Sequence, residues 1–307
     1  MRALVTGGAG FIGSHLATTL LERGDDVVVL DSLATGRRDN VPTGATFVEG
    51  SVADPESVAR AVDGCDVVFH LGALGAVARS VADPLTSDTA NVRGTLAVLT
   101  GARDAGVRRL VFASSSSVYG GAEVVPTPES APLRPRSPYA VTKLTGEHYC
   151  RVFAELFELE TVALRYFNVF GPRQRPDSVY AAVIPLFARA LLDGTRPLVH
   201  GDGMQSRDFT YVSDVVAANL AAAVAASEAC NGKVFNIAGG NQHTLLDLLR
   251  ELATLIGVDP DPEFGPARAG DVRHSCADAT AAANALGFAC EVSFAEGLAH
   301  TLTWMRA

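Results

Sequence analysis

The sequence predicts an α/β protein: a doubly wound parallel sheet with a smaller, interleaved C-terminal lobe. Three observations predict it. A short apolar run, Arg2 to Thr6, ends in a glycine-rich turn and leads into an amphipathic helix pattern. Further β-branched runs then alternate with helical patterns, as in parallel sheets covered on both faces. No Gly/Ser/Pro-rich linker divides the 307 residues, so a second lobe must dock closely on the first.

The elements follow in order. After Gly7-Gly8-Ala9-Gly10-Phe11-Ile12-Gly13, the residues Phe11, Ile12, Leu16, Leu20 and Leu21 recur at helical spacing. Strands are expected at Val27 to Asp31, Thr46 to Val48, Val67 to Leu71, Arg109 to Ala113 and Thr161 to Arg165, with helices between most of them. From Gly171 to Gly203 the chain is richer in Pro, Gly and Arg, and regular patterning lapses. A helix at Phe209 to Ala226, a strand at Val234 to Ile237 and a helix at Leu245 to Leu255 complete the reading. The sheet domain is expected to comprise residues 1–168 and 205–240, and the lobe residues 169–204 and 241–307.

With 48% hydrophobic residues the chain can bury a large core. Its net charge of -9 argues against a general nucleic-acid or anionic-membrane surface. The five cysteines are scattered without a Cys-x-x-Cys pair, so neither a zinc site nor a disulfide framework is expected. The first strand begins almost at Met1, which leaves no room for a signal peptide, and the longest apolar stretch is too short to span a bilayer. A cytoplasmic protein is the expectation.

Glycines at 7, 10 and 13 between a strand and a helix supply a tight turn, close backbone approach and a helix N-terminus, which together suit a pyrophosphate. Asp31 ends the next strand, where a carboxylate receives ribose hydroxyls, so a dinucleotide-binding, Rossmann-type sheet is expected. The carboxylate repels a 2'-phosphate, which favours NAD over NADP. Arg37 and Arg38 stand nearby, either as a solvated loop pair or as a seat for that phosphate.

Tyr139 and Lys143 lie four residues apart, on one face of a helix. Bringing a phenol from its usual pKa of about 10 to near 7 requires roughly 4 kcal/mol, which a lysine and a cationic cofactor ring can supply together. The pair then makes a base of a tyrosine.

Seven stretches in order, Thr6 to Ser14, His70-Leu71-Gly72-Ala73, Asn91 to Thr95, Ser114 to Gly120, Tyr139 to Lys143, Arg165 to Pro172 and Arg207-Asp208-Phe209, resemble the extended short-chain dehydrogenase/reductase family. The resemblance is to its nucleotide-sugar epimerase branch and runs nearly end to end. It implies cofactor contacts from Gly7, Gly10, Phe11, Ile12, Gly13, Asp31, Leu71, Gly72, Ala73 and Asn91. It also implies Ser115 as a proton relay, Tyr139 as the base, and Lys143 as the partner of the nicotinamide ribose. Two positions depart from the family pattern: Ser51 replaces an acidic residue and Gly72 an alanine.

The reaction so implied is NAD-dependent 4-epimerisation of a UDP-sugar through a transient 4-keto sugar, by a homodimer. Ser116-Ser117 stand where similar dehydratases carry Asp-Glu, which disfavours loss of water. Asn168, Arg207, Arg268 and Asp271 occupy positions that bind the nucleotide diphosphate and uridine in similar enzymes. Ser275 falls near the position where similar epimerases use a bulky or a small residue to exclude or admit a 2-acetamido group, so the resemblance implies room for N-acetylated hexosamines. The stretch Tyr180 to Pro185, which includes Val183, resembles the neutral-sugar branch. Against it, Arg175 in Gln174-Arg175-Pro176-Asp177 resembles UDP-glucuronate 4-epimerases, where Ser116 and Ser117 would bond a sugar carboxylate. UDP-glucose or UDP-galactose and UDP-glucuronate both stay open.

Overall fold

Strict alternation in the buried strands sorts side chains onto two faces of one sheet, and each face is then covered by helices. The structure, a computed structural model, describes residues 1–175, 182–267 and 272–306. The chain opens with β1 (Arg2–Thr6), α1 (Phe11–Glu22), β2 (Asp26–Asp31), β3 (Thr46–Glu49) and α2 (Pro55–Val62). Next come β4 (Val67–His70), α3 (Val77–Ala82), α4 (Pro84–Asp88), a π-helical turn (Thr89–Arg93) and α5 (Gly94–Asp104). They are followed by β5 (Arg109–Ser115), a 3-10 turn (Ser116–Tyr119), α6 (Pro138–Leu156), β6 (Glu160–Tyr166) and β7 (Val169–Phe170). Then come α7 (Val183–Leu192), β8 (Leu198–His200), β9 (Ser206–Asp208), β10 (Thr210–Tyr211), α8 (Val212–Val224) and α9 (Ser227–Cys230). The chain ends with β11 (Lys233–Ile237), β12 (Gln242–Thr244), α10 (Leu245–Ile256), β13 (Glu263–Gly265), α11 (Thr280–Leu286) and α12 (Phe294–Arg306).

Seven strands pair in the order β11-β6-β5-β4-β1-β2-β3, all of them parallel. Val5, Val29, Phe69, Val111 and Leu164 pack on one side with Leu16 and Leu20 of α1 and Val215 and Ala222 of α8. Leu4, Val28, Val68, Leu110 and Phe112 pack on the other with Val58 of α2, Leu99 of α5 and Phe153 of α6. The order reverses between β1 and β4, which opens a crevice at their carboxyl ends, the place where such sheets bind ligands. A third core, including Phe187, Leu191, Val199, Leu248, Leu252 and Leu298, forms among the segments after Gly171.

The expected strands of the sheet recur within about two residues. Two expectations change. The helix expected from Phe209 begins only at Val212, because Thr210 and Tyr211 pair with Val169 and Phe170. The segment from Gly171 to Gly203 is more regular than its composition suggests, since it holds α7 and β8. Pro185 sits in the first turn of α7, where a missing N–H costs nothing. No helix among the described residues is long and apolar enough to cross a membrane.

Candidate functional site

The turn after β1 forms the floor of a cleft of about 490 Å³. Gly7 has φ 71°, and a Cβ there would lie 2.8 Å from the backbone nitrogen of Gly72. A Cβ on Gly13 would lie 2.3 Å from the Gly7 carbonyl oxygen. The glycines therefore let three backbone segments meet, and α1 starts at their junction. Gly10 is its N-cap and brings no side-chain acceptor, so the first N–H groups of the helix face the cleft together with the positive end of the helix dipole.

Asp31 closes one end. Its carboxylate accepts from the N–H of Ala9 at 3.0 Å and of Leu33 at 2.8 Å. Burial pushes its pKa above the usual carboxylate value, and the two N–H donors only partly offset this. Each oxygen keeps a lone pair for a further donor. Arg37 and Arg38 do not line the cleft, and the Arg38 guanidinium instead lies 4.3 Å over the Phe47 ring. Leu71, Gly72 and Ala73 form the opposite wall. The glycine at 72 has a local reason: a Cβ there would stand 2.8 Å from Cγ1 of Val52. Val52 fills the space an alanine methyl would take.

Beneath this wall runs a buried chain of hydrogen bonds. Thr95 Oγ1 donates to the Asn91 carbonyl at 2.5 Å and so accepts from His70 Nε2 at 3.0 Å. His70 Nδ1 then accepts from Thr6 Oγ1 at 2.8 Å, and Thr6 Oγ1 accepts from the Gly72 N–H at 3.0 Å. Burial, with a smaller contribution from the Lys143 charge, lowers the His70 pKa to about 3, so the imidazole is neutral in this chain. Asn91, expected to contact the cofactor, lies beside this wall on the π-helical turn. Its amide bonds both the N–H and the C=O of Leu74 and also Thr142, which pins the wall loop to α6.

Helix α6 is started by Ser137, which accepts from the Ala140 N–H, and by Pro138 in its first turn. Ser80 of α3 adds a bond to the Tyr139 N–H at 3.0 Å. Tyr139 and Lys143 both line the cleft. Lys143 Nζ donates to the Ala113 carbonyl at 2.7 Å, and burial lowers its pKa to about 8. It lies 5.9 Å from the Tyr139 ring centroid. The phenol is raised above its usual pKa by burial, against the hydrogen bond from Ser115 that favours its ionised form. These side chains alone therefore do not bring the phenol's pKa down toward neutral pH.

The residues expected on the substrate side gather in part. Asn168, at φ 34°, donates to the Asp208 carbonyl at 2.8 Å, and the Ser275 N–H donates to the Ser206 carbonyl at 3.1 Å. Both thus meet β9, which carries Arg207. Ser116 and Ser117 lie in the turn directly after Ser115, and the Ser117 Oγ is buried without a partner among the described residues. Val183 opens α7, and Arg175 is exposed. Arg268 and Asp271 lie outside the described residues. Sequence reasoning missed Ser32, Thr86, Thr89, Ser114 and Tyr166 as cleft-lining residues. Ser114 and Tyr166 were within reach, since each sits inside a quoted motif at a strand end. Thr86 and Thr89 belong to α4 and the π-helical turn, which carry no such signal.

Comparison with known proteins is consistent with this geometry. The UDP-glucose 4-epimerase of Mycolicibacterium smegmatis is 40% identical over 313 aligned positions, covering 100% of this chain and 99% of its own. The crystal structure of Thermotoga maritima UDP-glucose 4-epimerase with UDP-glucose is 39% identical, with a TM-score of 0.95 and coverage of 100% and 99%. The Thermus thermophilus UDP-glucose 4-epimerase complex with NAD is 37% identical, with a TM-score of 0.91 and the same coverage. Residues 3–238 match the NAD dependent epimerase/dehydratase family, and the chain belongs to that family.

Proposed function

We propose that this chain is an NAD-dependent UDP-sugar 4-epimerase of the UDP-glucose/UDP-galactose type. The observation that carries the reading is the meeting of Tyr139 and Lys143 at the cleft whose floor is the α1 N-terminus, with Ser115 hydrogen-bonded to Tyr139, in a chain alike end to end to UDP-glucose 4-epimerases. The residues fit the dinucleotide: glycine backbone and helix N–H groups suit the pyrophosphate, and the Asp31 carboxylate suits the adenosine ribose diol. When bound, NAD supplies reversible oxidation at a sugar carbon and a positive ring charge.

Tyr139 takes the proton from the sugar 4-hydroxyl and later returns it, while the Ser115 hydroxyl steadies the phenolate oxygen. Lys143, anchored on Ala113, holds its charge beside the phenol. Inversion follows when the 4-keto sugar presents its other face before it is reduced. Asn168, Arg207 and Ser275 around β9, with Val183, Arg268 and Asp271, are assigned to the nucleotide and sugar, and arginine's fork suits the diphosphate. UDP-glucose, UDP-glucuronate and UDP-N-acetylglucosamine, incubated separately with enzyme and NAD and followed by NMR, test the reading. The C4 epimer of UDP-glucose is expected, and no epimer from any of the three would overturn it.

One observation favours a second reading, UDP-glucuronate 4-epimerisation. The buried, unpartnered Ser117 Oγ beside Ser116 suits a carboxylate, with Arg175 as a further charged handle. The same incubation decides between the two by relative rate.

A homodimer is proposed as the working state. Exposed Val81, Leu85 and Val141 lie on α3, α4 and α6, helices that pack on one another, and a second copy would cover them. Sedimentation equilibrium is expected to return twice the 32.0 kDa chain mass. A mass of one chain would reject the dimer.

A further inference from the structure

Glu147 follows Lys143 by one helical turn on α6 and is only 4% exposed. Both of its oxygens are engaged. Arg165 Nε donates to Oε1 at 2.8 Å, Arg165 Nη2 to Oε2 at 2.7 Å, and Ser114 Oγ to Oε1 at 2.5 Å. Ser114 and Arg165 are themselves register partners on β5 and β6. One carboxylate therefore ties the helix bearing Tyr139 and Lys143 to the two strand ends beside the cleft. Ser115 is the next residue on β5. The Arg165 guanidinium continues outward, donating to the Tyr119 hydroxyl at 2.7 Å, which in turn donates to Asn236 at 2.7 Å.

The charges around Lys143 make this tie more than mechanical. The titratable groups near it are Tyr139, Glu147 and Cys150 on α6, His70 on β4, and Arg165 and Tyr166 on β6. Burial raises the pKa of the Cys150 thiol and of the Tyr166 phenol, and it keeps His70 uncharged. Of these groups only Glu147 is a carboxylate. Cys150 and then Glu147 oppose the burial that lowers the Lys143 pKa.

We propose that Glu147, paired with Arg165, is a positioning residue for the Tyr139–Lys143 pair: it clamps α6 to the strand ends and balances the positive charge beside the phenol. The proposal rests on the reading of Tyr139 as the base. Without Glu147, the buried cations Arg165 and Lys143 lose the carboxylate that stands between their segments. Without Arg165, the carboxylate keeps the Ser114 hydroxyl as a hydrogen-bond donor.

The two removals must then move the Tyr139 titration in opposite directions, which loss of packing does not do. The phenolate ultraviolet absorbance of the protein, with that of Tyr139→Phe subtracted, gives the Tyr139 midpoint without any turnover. Glu147→Gln is expected to lower that midpoint by about one pH unit. Arg165→Met is expected to raise it by a similar amount, because it leaves the Glu147 carboxylate without its guanidinium partner. The double variant is expected to return most of the shift. Both pH limbs of kcat with the epimerised sugar follow the same directions. If only one single variant folds, its direction of shift decides. Unmoved midpoints, with only a lowered Tm or kcat, would overturn the proposal. If the parent enzyme epimerises no sugar, the functional reading fails while the absorbance titration still judges Glu147.

Discussion

Tyr139→Phe is expected to lower epimerisation of UDP-glucose by about a hundredfold to ten-thousandfold, the range associated with loss of a positioned acid–base group. The variant keeps the ring and removes only the phenolic oxygen. That oxygen's protein partner is the Ser115 hydroxyl, and the ring stands beside Lys143, so packing is little disturbed. The expected pattern is therefore a fall in kcat with KM within a few-fold, Tm nearly unchanged and NAD affinity retained. Steady-state kinetics, thermal unfolding and cofactor titration check each part. Wild-type kcat in a folded variant would remove Tyr139 from the chemistry and would favour a non-catalytic NAD-binding role for the chain.

Gly13→Ala is expected to act on the opposite side of the cleft and through the backbone. Alanine in place of glycine inside a helix ordinarily adds up to about 1 kcal/mol of stability. Here the new Cβ would lie 2.3 Å from the Gly7 carbonyl oxygen and 2.8 Å from its carbon, and neither atom belongs to a side chain that can swing away. Overpacking of this kind costs about 1–3 kcal/mol, so the clash outweighs the propensity gain. Relief requires the turn and α1 to separate, which moves the helix N–H groups from the pyrophosphate seat. Lower stability together with at least about tenfold weaker NAD binding is the expected result, read by denaturant unfolding and cofactor titration. Unchanged cofactor affinity would show that the turn does not hold the pyrophosphate.

Much of the sheet was legible because its signals are local. Val27 to Asp31 and Arg109 to Ala113 read as strands from a few adjacent residues, and Gly7, Gly10 and Gly13 read as a turn from spacing alone. α7 was not legible. Its residues are apolar on nearly every side and lie between Pro- and Gly-rich flanks, and what makes them a helix is packing against Leu248 and Leu252 of α10. Asn91 shows the limit for the site. A motif suggested a cofactor contact, but only the fold shows that its amide bonds Leu74 and Thr142.

The sequence by itself determined the class of sheet, the glycine floor with its acid at Asp31, and the Tyr139–Lys143 pair on one helical face. These rest on period and spacing along a single segment. The tertiary structure alone decided that Val52 claims the space beside Gly72, that Thr6, His70 and Thr95 link in one proton order, and that Glu147 joins Lys143's helix to Ser114 and Arg165. Each of these joins residues far apart in the chain. Their charge states and contacts depend on burial and on partners that come together only when the chain folds.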